Sequence, residues 1–327
     1  MMNRLTMQKT IRNNVSFFGI FKESKPYHFY AFQAVVFLYM FYRLASRDYT
    51  IYGLLDESYF QFPRMHANLW SVPFSYLTTF QFIYHWIPRP APDTLRLLQL
   101  IGIFSCMSGF LGIFPRFCAW IVFVLGAHLT GFVQSSNADI EGGSLIVLAT
   151  LILALARTGT HYNIFRSPKF GFESAHYHWP IFLFILSISV YYGAAGLNKL
   201  IDIGPHWPFI LHLDWVGHSY IGHSFFSSNR YVHSFFGSIL MNNPWFSVLG
   251  GLVTLISELF FILVLFVPKL RFFFIGSMII MHILVFFSVG INFLGNSVLM
   301  LLCFDVNSGI SMINRHSAMH NCNIDDS

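Results

Sequence analysis

An all-α fold is what this sequence predicts: a polytopic membrane helix bundle of about eight transmembrane helices, with the N- and C-termini inside. Three observations predict it. Of 327 residues, 55% are hydrophobic and only 10% are Asp, Glu, Lys or Arg, where a soluble domain carries about a quarter charged residues. The mean hydropathy is +0.58, and the apolar residues fall into runs long enough for helices that cross a hydrocarbon core of about 30 Å. Finally, basic residues alternate between successive loops, as the orientation rule for membrane helices requires. These features exclude a disordered chain, a coiled coil and an ordinary cytosolic enzyme. A formal charge of +5, thinly spread, gives no footing for nucleic acid.

The elements follow in order. Residues 1–26 are a basic cytoplasmic segment carrying Arg4, Lys9, Arg12, Lys22 and Lys25. No small-residue cleavage site follows a short apolar run, so the first run reads as a signal anchor rather than a removable leader. The transmembrane domain is residues 27–305, with spans at 29–46, 94–114, 117–133, 143–156, 179–200 and 245–267. The uncharged run 272–304 would reach roughly 50 Å as one helix. Gly290, Asn292, Gly295 and Asn296 interrupt it, so it divides into two spans. The stretch 70–87, with Pro73, Gln81 and His85, reads as interfacial. Residues 306–327 form a cytoplasmic tail.

This order places twelve basic residues inside and four outside, while eight of the fourteen acids fall outside. The two long loops, 47–93 and 201–244, lie on the outer side. A multi-pass protein follows, in contact with membrane lipids: in the plasma or inner membrane of a bacterium, or in the endoplasmic reticulum of a eukaryote.

Ionisable groups inside a bilayer are costly and mark either function or a buried pair. Lys199 lies near the outer end of the fifth span, Glu258 within the sixth and His282 within the seventh. Lys199 is open to two readings. One is a lysine whose amine snorkels to the headgroups. The other is a lysine dried by its neighbours, with a lowered pKa that suits a general base. Gly193, Ala194, Ala195 and Gly196 favour the second, because small residues let another helix close over the segment. Counting about 1.5 Å per residue from the outer ends puts His282 roughly 10 Å deep and Glu258 roughly 20 Å deep. On that count His282 shares an outward-opening pocket with Lys199, and Glu258 braces the bundle beneath.

No metal site is indicated. His206, His212, His218, His223 and His233 stand beside Trp and Tyr, as interfacial anchors do, and their spacing matches no ligand motif. Cys106, Cys118, Cys303 and Cys322 form no CxxC.

The segment Ala195-Gly196-Leu197-Asn198-Lys199-Leu200, followed by Asp202 and Trp207, resembles one in the vitamin K-dependent gamma-carboxylases and the wider HTTM membrane-domain family. Three further stretches resemble the family in order: Leu111-Gly112-Ile113-Phe114-Pro115-Arg116 as a turn between spans, Gly250-Gly251 with Glu258, and His282 ahead of Gly290-Ile291. The resemblance covers about residues 28–305.

It implies an outward-facing site in a bundle of eight or nine helices. Lys199 would be the base that deprotonates reduced vitamin K or another quinol, and His282 would hydrogen-bond an oxygen of that quinol. Asn198, Trp207 and Glu258 would take substrate-binding positions. Oxygen, carbon dioxide and a glutamyl side chain would complete a carboxylase and epoxidase, a lyase that makes gamma-carboxyglutamate.

The chain also departs from the carboxylases. Asn137-Ala-Asp-Ile-Glu-Gly-Gly-Ser144 has no histidine where they carry an Asn-His pair, and the large lumenal domain is missing, so a separate lumenal or extracellular partner chain would have to supply it. A second expectation is therefore a non-enzymatic factor for maturation or export of a secreted peptide, and a third is a transporter.

Overall fold

The computed structural model describes residues 27–54, 90–135, 143–156, 175–203, 242–289 and 293–304. Among them every regular element is a helix: α1 Tyr27–Ala45, α2 Thr50–Leu54, α3 Pro92–Phe110, α4 Pro115–Ser135, α5 Ser144–Leu155, α6 Ala175–Ile203, α7 Pro244–Leu259, α8 Leu263–Phe266, α9 Arg271–Val289 and α10 Leu294–Leu301, with a 3-10 turn at Pro268–Leu270. The interfacial stretch 70–87, the outer-loop histidines, Trp207, and the segments 1–26 and 306–327 lie outside the described residues.

α1 joins two groups of helices. It packs against α3, α4 and α5 on one side and against α6 and α10 on the other. Its core residues Phe29, Phe32, Val36, Met40 and Leu44 are buried at three- and four-residue steps, the spacing of one helix face. α5 is the most enclosed element. Nine of its twelve residues are buried, which explains how so short a helix is held between α1, α4 and α6. The second group is α6, α7, α9 and α10, with α6 against α7, α7 against α9, and α9 against α10.

Side chains from neighbouring helices complete the helix ends. The last carbonyls of any helix lack an intrahelical donor, and in an apolar surrounding they need another partner. Gln99 Nε2 on α3 donates to the Leu44 and Arg47 carbonyls at the end of α1, at 2.5 and 2.7 Å. Gln33 Nε2 on α1 donates to Gly109 O near the end of α3 at 3.3 Å, and Arg116 Nε on α4 to Ala154 O near the end of α5 at 3.2 Å. His28 Nε2 lies 2.7 Å from Leu302 O just past α10. Polar residues that look misplaced within apolar runs thus close the backbone ladder of a neighbour.

The turn at Leu111–Arg116 sits between α3 and α4, where the sequence places it. Gly112 has φ 78°, a left-handed value that favours glycine. The Ile113 N–H bonds Ser108 O at 2.9 Å and the Gly112 N–H bonds Gly109 O at 3.1 Å, the paired closure of a Schellman cap. Pro115 then opens α4 at the first helical position, where its missing donor costs nothing.

The expected sixth span, 245–267, differs. α7 stops at Leu259, and the chain tightens into three-residue turns, with Phe261 N to Glu258 O at 3.3 Å, Leu263 N to Phe260 O at 2.9 Å and Val264 N to Phe261 O at 2.9 Å. The uncharged run 272–304 is divided between α9 and α10, and α10, with eight residues, is shorter than the span expected there. Among the described residues one helical stretch, Tyr177–Leu197 in α6, is both long and apolar enough to cross a membrane; Pro115–Gly131, Ser144–Leu155, Val248–Leu259 and Arg271–Phe287 are apolar but shorter.

Candidate functional site

α6 carries the centre of the site. Tyr192 is 4% exposed, and its ring lies 5.4 Å from that of Phe261 and 5.3 Å, edge-on, from that of Tyr191. Its hydroxyl is 3.3 Å from His282 Nε2 on α9. The other ring nitrogen, Nδ1, is 3.0 Å from the Ser297 hydroxyl on α10. Ser297 Oγ also lies 3.4 Å from the Phe293 carbonyl. The His282 imidazole is 2% exposed and stacks on Phe293 with ring centroids 5.1 Å apart and planes at 25°. Three helices therefore hold one chain of exchangeable protons, Tyr192–His282–Ser297, inside an aromatic wall.

That chain has two self-consistent settings. In one, Tyr192 donates to His282, His282 donates to Ser297, and Ser297 donates to the Phe293 carbonyl. In the other, Ser297 donates to His282 and His282 donates to Tyr192, which frees the tyrosine proton for a different acceptor. Each neutral imidazole has one donor nitrogen and one acceptor, so a change of tautomer switches the whole chain. Such a chain can pass a proton across the interior without placing a net charge there.

Glu258 and Asn296, buried at 4% and 2% exposure, flank the tyrosine closely enough to act on its hydroxyl, as does Tyr39 of α1. The Tyr39 hydroxyl end rests on Gly295 in the first turn of α10, where no side chain would fit.

The structure corrects the depth assigned to Glu258. It does not lie about 10 Å beneath His282. A Cβ on Gly196 would meet the Glu258 Cβ at 3.0 Å and the Leu259 nitrogen at 2.8 Å, so Glu258 stands level with the turn of α6 just past Tyr192. The close approach expected of the small residues 193–196 is present at Gly196 alone among its two glycines; Gly193 has nothing within 4 Å.

Asn198 and Lys199 belong to the last turns of α6. Lys199 is seven residues past Tyr192, about two turns, so the backbone places both at the same angular position. His282 and Glu258 are thus brought together, and Lys199 is placed along the same stripe of α6. Sequence reasoning missed Tyr192, Asn296 and Ser297. Tyr192 hides in an apolar aromatic run, and Asn296 reads as an interruption of the run 272–304.

Among the described residues no three His, Cys, Asp or Glu side chains gather as a metal ion would need, and Cys106, Cys118 and Cys303 are free and buried. No family model matches the chain, and neither the curated proteins nor the solved structures give a match.

Proposed function

We propose that this chain is a multi-pass membrane protein that removes a proton from a quinol, with Lys199 as the base and the Tyr192–His282–Ser297 chain as the site that receives the quinol oxygen. The membrane part rests on an inverted distribution of side chains. Polar groups cluster inside, while α3, α7 and α9 turn apolar stripes outward: Leu97, Leu100, Ile101 and Phe104; Trp245, Phe246, Leu249 and Val253; Phe272, Ile280, Ile283 and Phe287. Continuous exposed stripes at helical spacing suit lipid and do not suit water. The hydrogen-bonded ends agree with the charge count: His28 with Leu302, and Arg116 with Ala154, join ends assigned to the inside, and Gln99 with Leu44 joins ends assigned to the outside.

The observation that carries the chemical part is the buried proton chain lying two turns along one face of α6 from Lys199. The surroundings fit a quinol: flat rings from Phe293, Tyr191 and Phe261 beside a chain that can accept or donate a proton, with the buried Asn296 amide next to the tyrosine hydroxyl. A quinol, when bound, supplies an acidic hydroxyl and reducing equivalents. The Lys199 amine takes the hydroxyl proton: the O–H bond breaks, an N–H bond forms, and the electron pair stays on oxygen. Glu258, opposite Gly196 and three residues before Lys199 in register, offsets the ammonium charge that results. His282 adjusts its tautomer so that the tyrosine hydroxyl faces the oxygen as donor. The aromatic wall excludes water, which would otherwise weaken each of these interactions.

The test is a reconstituted assay with reduced vitamin K and labelled carbon dioxide, comparing the native chain with Lys199→Ala. The expected result is epoxide and fixed label from the native chain and neither from the variant. Epoxide without label would limit the activity to the quinol half-reaction, and absence of both from the native chain would overturn the reading. A proton-coupled transporter is a second reading, favoured by the two settings of the proton chain. Proton uptake by protein-bearing liposomes without any quinol would support it in place of the first.

A further inference from the structure

Two turns that the charge count assigns to the inner side are built alike. Between α3 and α4, Arg116 is exposed, and so are Ile113, Phe114 and Phe117 around it in the chain. Between α8 and α9, Arg271 is half-buried and Lys269 exposed, with Phe266, Leu270, Phe272 and Phe273 exposed in the same turn. In each turn the arginine gives its Nε to a main-chain carbonyl: Arg116 to Ala154 O at 3.2 Å, and Arg271 to Val264 O at 2.8 Å. Nε is only one of the donors of a guanidinium. Among the described residues the terminal nitrogens of both arginines have no hydrogen bond or ion pair. Each guanidinium is thus fixed at one edge, and its fork is left for something outside the protein.

The backbone of the first turn is a separate observation. Phe114 has φ 45°, a left-handed value that is strained for a bulky residue. It is 79% exposed, as is Phe272 in the second turn, so packing among the described residues does little to offset that strain. Water gives no reason to hold a phenylalanine out in this way. The boundary between lipid headgroups and acyl chains does.

We propose that each turn seats an anionic phospholipid of the inner leaflet. Arg116 in one turn, and Arg271 with Lys269 in the other, hold the lipid phosphate, while the phenylalanines enter the boundary below it. The planar fork of arginine matches a phosphate with two parallel bonds, and anionic headgroups attract basic side chains at the membrane surface. A free anion would meet the same cations but leave the rings in water, so the occupant is a phosphate that carries acyl chains. Because the same two arginines hold carbonyls of α5 and α8, a seated lipid also steadies those helices. This inference rests on the multi-pass reading and goes beyond it: it names the class of lipid, the leaflet and the side chains.

The purified full-length protein is placed in liposomes of equal phosphatidylglycerol and phosphatidylcholine, then solubilised, and the retained lipids are identified by native mass spectrometry. The native protein should retain phosphatidylglycerol over phosphatidylcholine by about fivefold, and excess inorganic phosphate should not displace it. Arg116→Gln combined with Arg271→Gln should bring the two lipids to parity. Lys269→Gln breaks no bond among the described residues and should lower the preference by a smaller factor, which keeps the test decisive if the arginine variant does not fold. Equal retention by the native protein overturns the inference, and a dimeric native protein in that case assigns the turns to a second copy. Unchanged preference in Lys269→Gln, or in a folded arginine variant, also overturns it. So does displacement by inorganic phosphate. All of these leave the multi-pass reading standing, whereas native protein that fails to float with the liposomes removes both.

Discussion

The Cα of Gly196 on α6 lies against Glu258 on α7, so closely that an added methyl group would stand 3.0 Å from the glutamate Cβ and 2.8 Å from the Leu259 backbone nitrogen. The second neighbour is main chain and cannot swing aside. Gly196→Ala should therefore push the two helices apart and lower stability by about 1–3 kcal/mol. Gly193→Ala, on the same helix with open space around it, should be neutral or stabilising by up to about 1 kcal/mol. Unfolding of the two variants in detergent checks the pair, and equal effects would contradict the packing.

Tyr192 and Ser297 are linked through the two nitrogens of His282. Tyr192→Phe and Ser297→Ala should each cost about 1–2 kcal/mol. The double variant should cost less than the sum, by about 0.5 kcal/mol or more, because the first change already releases the imidazole from a fixed tautomer. Strict additivity would mean that the chain does not act as a unit.

Arg116 reaches from α4 to the Ala154 carbonyl at the end of α5. Arg116→Leu should leave that carbonyl unpaired and cost about 1–3 kcal/mol, with Arg116→Lys restoring part of the loss. The measurement is again the unfolding midpoint. A leucine variant as stable as the native chain would show that the α5 end is satisfied by other means.

Asp48, just past α1, accepts bonds from the Thr50 N–H at 3.0 Å and the Thr50 hydroxyl at 2.5 Å. These bonds hold its carboxyl below the ordinary value of 3.8. The carboxylate form is the one stabilised in the fold, so its contribution is complete above the unfolded pKa and is lost as the pH falls through the folded one. Thr50→Val should lower stability at neutral pH and flatten the acid limb of a stability–pH profile below about pH 4, the variant and the native chain converging once the carboxyl is protonated. An unchanged acid limb would contradict the assignment.

Trp245 is 76% exposed on the outward stripe of α7. In liposomes with brominated acyl chains, native fluorescence should fall by more than that of Trp245→Phe, since the proposed membrane position sets this tryptophan against lipid. Equal quenching would place this stripe away from the bilayer.

The apolar runs were legible because helix packing demands continuous hydrophobic surface, and the expected span positions other than 245–267 coincide with helices among the described residues. The break after Glu258 was not. The stretch 245–267 contains no proline and no glycine near Phe260, so packing and not local sequence sets where α7 tightens. His282 and Glu258 were visible as ionisable groups in apolar runs. Tyr192 was not, since a tyrosine among aromatics looks like any core ring until its hydroxyl acquires a partner on another helix. Asn296 was seen but weighed as a helix breaker, because polarity in sequence does not reveal which group on another helix a side chain faces. Gln33, Gln99 and Arg116 carried a legible cost, and only the fold shows which carbonyl each one relieves.

His28, near the start of the first helix, is bonded to Leu302, 274 residues further on. During synthesis from the N-terminus, α1 must wait for almost the whole chain before that acceptor exists. Among the described helices α1 is therefore made first and finished among the last, and a ribosome that stops short of Leu302 leaves a defect at the far end of the described chain. Quality control acting on the newest residues would in effect be inspecting the oldest ones.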